Sequence, residues 1–384
     1  MKSELLKING GLDLPIAGEP NQVISSACDS QKIGIIGADY VGLKPTMGVR
    51  EGDCVKKGQI LFSDKKNELA KIVSPISGKV SEINRGARRI LQSVVIDREG
   101  DEEICFEKFT ECSIESTDRE KIRNILVESG QWVALRTRPY SKVPDIRSNP
   151  NSIFVTASDS NPLSVNPDVV IEQQPEYFSF GMRVLCKLCD GNIHLCTDAS
   201  SDILIKDMQQ VKHTRFAGKH PAGLAGTHIH FLDPVSSSKT VWVINYQDVI
   251  AFGYLFLTGN IYSRRIISIA GPQVKAPRLV ETILGADLDE LVRNELFEGE
   301  SRVISGSVLA GRESSGNFSY LGRYHNQISV IEEGRDRQIL HFLRLGNNKH
   351  SALPIFVSNF AKKLFNMTTS TNGSERAMVP VGGY

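Results

Sequence analysis

Several features that would make a function easy to assign are missing from this sequence. Nowhere do about 20 apolar residues run together, the length that a membrane-spanning helix needs. The best stretch, 241–261, is interrupted by Asn245, Gln247, Asp248 and Asn260. No sign of charge dominates, with 45 Lys and Arg against 44 Asp and Glu, which argues against a nucleic-acid-binding surface of any size. The 7 cysteines are an odd number without disulfide-dense spacing, so a reducing, cytosolic setting is expected. The opening MKSELLKINGG lacks the apolar core of a signal peptide. There is no four-thiolate cluster run, no evident Ser-His-Asp set and no internal repeat. At 384 residues, two or three domains are expected.

The most organised stretch runs from Val49 to Asn84. Val55, Ile60 and Phe62 on one side answer Ile72, Ile76, Val80 and Ile83 on the other, mostly at strand spacing. Between them lies the turn-prone Ser63-Asp-Lys-Lys-Asn67. The pattern resembles the barrel-sandwich domains that carry lipoyl or biotinyl groups on a hairpin-tip lysine, with Lys65 and Lys66 at that tip. A solvated turn is the simpler alternative.

Further along, Arg88–Asp97 reads as a strand closing the first domain, and the acidic stretch to Glu115 as a connector. Thr117 or Asp118 is expected to cap a helix carrying Ile122, Ile125 and Leu126 and stopped by Gly130. Strand 153–157, a helix through Phe178, Met182, Leu185 and Cys189, strand 193–197, strand 241–244 and helix 248–257 repeat a strand–helix theme. That theme predicts a partly parallel α/β sheet. Strands over 266–270, 278–282 and 302–309 around a short helix near 288–296 predict a small α+β module. A last helix is expected over 355–365.

Three groups have the look of chemistry. Cys186, Cys189, His194 and Cys196 have metal-like spacing, although convergence needs the last helical turn and the next strand to meet. His213, His220, His228 and His230 crowd one segment, and His228-x-His230 on a strand would put both rings on one face. Buried cysteines and hydrogen-bonded structural histidines are the simpler alternatives. Gly34, Gly37 and Gly42 lack the GxGxxG spacing of a dinucleotide loop. The loop 218–226 has the wrong spacing and a proline at 221, which argues against a phosphate cradle.

Longer strings carry a resemblance. Gly11-Leu-Asp-Leu-Pro-Ile-Ala-Gly18, Tyr40-Val-Gly-Leu-Lys-Pro-Thr46, Leu91-Gln-Ser-Val-Val-Ile96, Arg136-Thr-Arg-Pro-Tyr-Ser-Lys-Val-Pro144, the run 220–234 with GTHIHFLDP, and Ala270-Gly-Pro-Gln-Val-Lys275 resemble the NqrA family, which supplies one subunit of the bacterial Na⁺-translocating NADH:quinone oxidoreductases. The resemblance implies a multidomain α/β and α+β fold distantly similar to the flavin subunit of complex I. It implies a barrel-sandwich domain over 1–112, a Rossmann-like α/β domain over 113–260 and a β-grasp, SLBB-type module over 261–346. Residues 347–384 would begin a helical region that continues in other members, so a shortened chain is expected.

It also implies a peripheral protein on the cytoplasmic face of the inner membrane, soluble when isolated and partnered by the integral-membrane subunits. Ubiquinone is the expected ligand, and no tightly bound FMN, FAD or iron–sulfur centre is expected in this chain. A quinone site needs an apolar slot, an aromatic face and donors for the carbonyl oxygens. Asp39 and Tyr40 on one loop, and Trp132, Leu135, Arg136, Arg138 and Tyr140 on another stretch, supply these types. The competing expectation makes Trp132 core and the arginines domain-joint ion pairs, in a scaffold protein with no quinone site of its own.

Overall fold

The computed structural model describes residues 3–203, 208–335, 345–350, 356–360 and 363–370. A four-stranded sheet, in the order 32–36, 91–98, 78–85, 54–55, packs on a three-stranded one of 45–47, 60–64 and 67–73. Ile33, Val80, Val94 and Ile96 from the first meet Leu61, Phe62 and Ile72 from the second in one core. Lys65 and Lys66 form the exposed two-residue turn between Ile60–Asp64 and Asn67–Val73, as the sequence suggests. Gly34, within the strand Lys32–Ile36, has a structural role. A Cβ on Gly34 would stand 2.2 Å from the Tyr320 ring, so that strand can pass the ring only without a side chain.

The α/β half holds a six-stranded sheet in the order 4–7, 211–217, 193–198, 153–157, 241–245, 136–138. All its pairings are parallel except the last, where Arg136–Arg138 lies antiparallel on the edge. Near-continuous Val, Ile and Leu in Ile153–Ala157 and Val241–Asn245 fit strands covered on both faces. Helices Pro175–Leu188 and Tyr246–Thr258 cross closely over one face. Gly253 permits the crossing, since a Cβ there would sit 1.8 Å from the Tyr177 carbonyl oxygen.

The third sheet runs 312–313, 301–305, 327–332, 264–270, 278–283, 21–25 around the short helix Leu288–Leu291. The two strands that precede the barrel in the chain therefore serve the neighbouring modules: Glu4–Lys7 edges the α/β sheet and Asn21–Ser25 edges the third sheet.

Asp118 does precede the helix Arg119–Glu128, and Gly130 follows it in the left-handed conformation at φ 68 that ends helices. The stretch before it needs correcting. What reads as an acidic connector contains a helix, Glu111–Ser116, because Thr110 and Ser113 close a capping box over its first turn. The helix expected over 355–365 lies partly outside the described residues, and Val357–Phe360 is a single 3₁₀ turn. No helix among the described residues is long and apolar enough to cross a membrane.

Candidate functional site

The two stretches singled out by sequence meet where all three modules join. The loop 37–44 leaves the barrel strand Lys32–Ile36 and enters the joint. There Asp39 accepts from Arg312 Nη1 at 2.6 Å and from the backbone N–H of Arg323 at 2.7 Å. Tyr40, buried, packs edge-on against Phe62 at 6.2 Å and Tyr324 at 6.4 Å. Burial holds the Tyr40 phenol well above its ordinary range. Its hydroxyl has no hydrogen-bond partner among the described residues.

Arg136, on the edge strand of the α/β sheet, stacks over Tyr324 at 4.5 Å from the guanidinium carbon to the ring centre. Tyr324 donates to the Val133 carbonyl oxygen at 2.8 Å, and burial pushes its phenol up to about 12. Arg136 and Arg138 share one face of the short strand and both reach Ser141 Oγ, Arg138 at 2.9 Å. Neither forms an ion pair among the described residues. Burial, with Arg136 alongside, pulls Arg138 down to about 10, so that guanidinium stays charged at neutral pH. The expectation of domain-joint ion pairs for these two arginines is thus not what the joint contains. Its pairs are made by Arg265 and Arg323 on Asp248, the latter at 3.0 Å, and by Arg312 on Asp39.

The remaining named residues separate. Trp132 is fully buried, donates to the Pro144 carbonyl oxygen at 2.9 Å and packs edge-on to Trp242 at 5.4 Å. Leu135 is equally buried, so neither presents a surface to a ligand in this conformation. Tyr140 lies 78% exposed on the adjoining turn. A narrow cleft of about 40 Å³ runs beside Tyr40, Ile72, Val133, Ile261 and Arg323. That is room for a few waters, well below the roughly 300 Å³ at which ligand pockets begin.

The metal-like sets disperse as well. Cys186 and Cys189 pack with the helices on one face of the α/β sheet, while His194 and Cys196 point to the other, where His194 stacks on Phe154 at 4.7 Å. His228 and His230 lie on the helix Ala225–Leu232 and not on a strand, so two positions apart means nearly opposite faces. His228 is buried against Phe216 and bonded to the Ala222 carbonyl at 2.9 Å, and burial pulls it down to about 4. His230 is exposed. His213 pairs with Thr197 and His220 with Ser160. Among the described residues no three His, Cys, Asp or Glu side chains are grouped to hold a metal ion.

Three family models account for most of the chain: the NqrA N-terminal barrel-sandwich hybrid domain over 6–99, the NqrA second alpha/beta domain over 117–261, and the NQRA C-terminal domain, of SLBB type, over 266–316. The NqrA subunit of the Na⁺-translocating NADH-quinone reductase of Marinomonas sp. (strain MWYL1) is 55% identical over 381 residues, 99% of this chain and 85% of that protein. Those of Saccharophagus degradans and Vibrio vulnificus (strain YJ016) are 54% and 53% identical over the same shares. This chain belongs to the NqrA family. The barrel-sandwich, α/β and SLBB composition is therefore that of NqrA proteins, as the sequence resemblance implies. Among solved structures, an NAD⁺-reducing NiFe hydrogenase in the air-oxidized state aligns over 57% of this chain and 48% of that one at 15% identity. Its TM-score of 0.40 is too low to add to the argument.

Sequence reasoning missed Tyr324, Arg323 and Arg312, which complete the joint. The only local signal for Arg323 and Tyr324 is Gly322-Arg-Tyr-His325, a charged and aromatic run before a strand. The contact from Arg323 to Asp39 spans 284 residues, beyond any periodic pattern.

Proposed function

We propose that this chain acts as the peripheral, cytoplasmic-face NqrA component of a Na⁺-translocating NADH-quinone reductase and contributes to ubiquinone binding at the three-module joint. The observation that carries the reading is a buried phenol without a hydrogen-bond partner, Tyr40, sharing the Tyr324 ring with Arg136, beside which Arg138 is a second guanidinium without a carboxylate. These are donors suited to quinone carbonyl oxygens. Ile72, Val133 and Ile261 supply an apolar wall along the cleft beside Tyr40, and Tyr324, packed on Tyr40, adds an aromatic face. Because the cleft is small, binding requires the joint to open by a few ångströms, and the protein gates access as well as holding the ligand. Electrons reach the quinone from cofactors on partner subunits, with Na⁺ export coupled there.

Titration of the chain with a short-tail ubiquinone, followed by tryptophan fluorescence or calorimetry, tests this. Saturable binding that Tyr40→Phe or Arg138→Ala weakens is expected. Binding untouched by either variant removes these residues from the site. The closed cleft and the burial of Trp132 and Leu135 favour a second reading, a scaffold whose quinone chemistry resides in a membrane partner. Absence of binding to the folded chain selects it.

A further inference from the structure

One end of the barrel-sandwich domain gathers the loops 37–44, 65–66 and 86–90. The Lys65 backbone N–H donates to the Lys44 carbonyl at 2.8 Å. A Cβ on Gly37 would stand 2.5 Å from the Leu91 carbonyl oxygen, and Leu91 pairs with Arg85 where the 86–90 turn begins. The α/β half adds the turn after its edge strand. Asn67 Nδ2 donates to the Pro144 carbonyl at 3.3 Å, and a Cβ on Gly42 would touch the Lys142 side chain at 3.7 Å.

This end exposes Lys44, Lys65, Lys66, Arg88, Arg89 and Lys142. None of the six forms an ion pair among the described residues. Two carboxylates nearby are already engaged, Asp64 by the backbone N–H groups of Lys44 and Lys66 and Asp39 by Arg312. In a chain whose charges nearly balance overall, the cations are a local concentration. Three apolar tips stand among them: Val41 at 46% exposure, Ile90 at 65% and Tyr140 at 78%.

We propose that this end of the molecule is a docking face for an anionic lipid surface, with the cations on headgroup phosphates and Val41, Ile90 and Tyr140 entering the interface. Protein–protein interfaces are depleted in lysine and seat their aromatic anchors in packed pockets. Here four of the six cations are lysines, and the apolar groups are projecting loop tips. Basic side chains beside an anionic leaflet each add about fivefold to partitioning, and amphipathic residues at the headgroup level reinforce them. The face adjoins the quinone site proposed above but stands on different residues.

Flotation of the 384-residue chain with phosphatidylcholine vesicles, with and without phosphatidylglycerol, is the test. Binding to the anionic vesicles alone is expected, loosening as salt is raised. The K65E/K66E double variant is expected to bind at least ~10-fold more weakly, and Tyr140→Ser a few-fold more weakly at unchanged charge. The control K7E/K212E makes the same charge change on exposed strand positions near the opposite edge of the α/β sheet, four or more strand spacings (roughly 19 Å or more) from Arg136–Arg138, and is expected to bind nearly as the parent. Equal binding to neutral vesicles, or equal losses in the two double variants, overturns the proposal. No binding to anionic vesicles also overturns it and leaves an acidic protein partner as the occupant of this face. The short-tail quinone titration on K65E/K66E keeps the two proposals separable, since quinone binding should survive there.

Discussion

Two sets of arginines occupy the same joint and are treated differently. Arg265 and Arg323 converge on one carboxylate, Asp248, with Arg265 and Asp248 almost wholly buried. Arg136 and Arg138, half-buried and a few residues from that network, meet only a hydroxyl, a backbone carbonyl and an aromatic ring. A buried cation without a counter-ion is costly, so a folded chain normally supplies one, as it does at Asp248. The contrast teaches that one set ties the modules together while the other leaves its charge without a carboxylate, the feature on which the proposed quinone site rests.

Removing the carboxylate is the most severe way to probe this contrast. Asp248→Ala leaves two buried guanidiniums facing each other, and a loss of about 3–5 kcal/mol in denaturant unfolding is expected. A result near zero would mean that the joint relaxes and lets water in. Gly253→Ala forces a methyl group against the Tyr177 carbonyl, away from either arginine set. A loss of about 1–3 kcal/mol is expected there, a reference for what packing alone contributes.

Acid supplies a third test. Burial lowers His194, His213, His228 and His325, with His228 down to about 4. The unfolded chain takes up protons near pH 6.5 that the folded chain refuses, so these groups cost nothing above that pH. Stability should fall as pH drops from about 6.5 toward 4. In His228→Leu the thermal midpoint should fall less steeply over that window. The smallest effect belongs to the open set: Arg138→Ala should change stability by less than about 1 kcal/mol, since no ion pair is lost. It should still weaken quinone binding. A large destabilisation would show instead that this guanidinium is structural.

Much of the α/β half is legible in the sequence. Apolar runs such as Ile153–Ala157 and the helical spacing from Phe178 to Leu185 reflect local periodicity, which survives tertiary packing. The Gly226-Thr-His-Ile-His-Phe-Leu232 stretch misleads because alternation over so few residues fits a strand and a helix equally, and the helix lacks a polar side-chain cap to announce it. The candidate site is half visible. Tyr40, Arg136 and Arg138 stand out by type, but whether Trp132 faces a ligand or the core depends on Trp242, more than a hundred residues away. The ring that joins the two stretches, Tyr324, comes from the far end of the chain.

The edge strand Glu4–Lys7 carries a consequence for biosynthesis. Its partners are Thr214 to Ala217, so this segment, once made, has nothing to pair with until some 210 more residues have left the ribosome. At about 5–20 residues per second, that is a wait of roughly 10–40 s. The α/β sheet must begin to assemble from its middle while Glu4–Lys7 stays tethered and unpaired. During that interval the unpaired backbone of Glu4–Lys7 is open to the wrong neighbour.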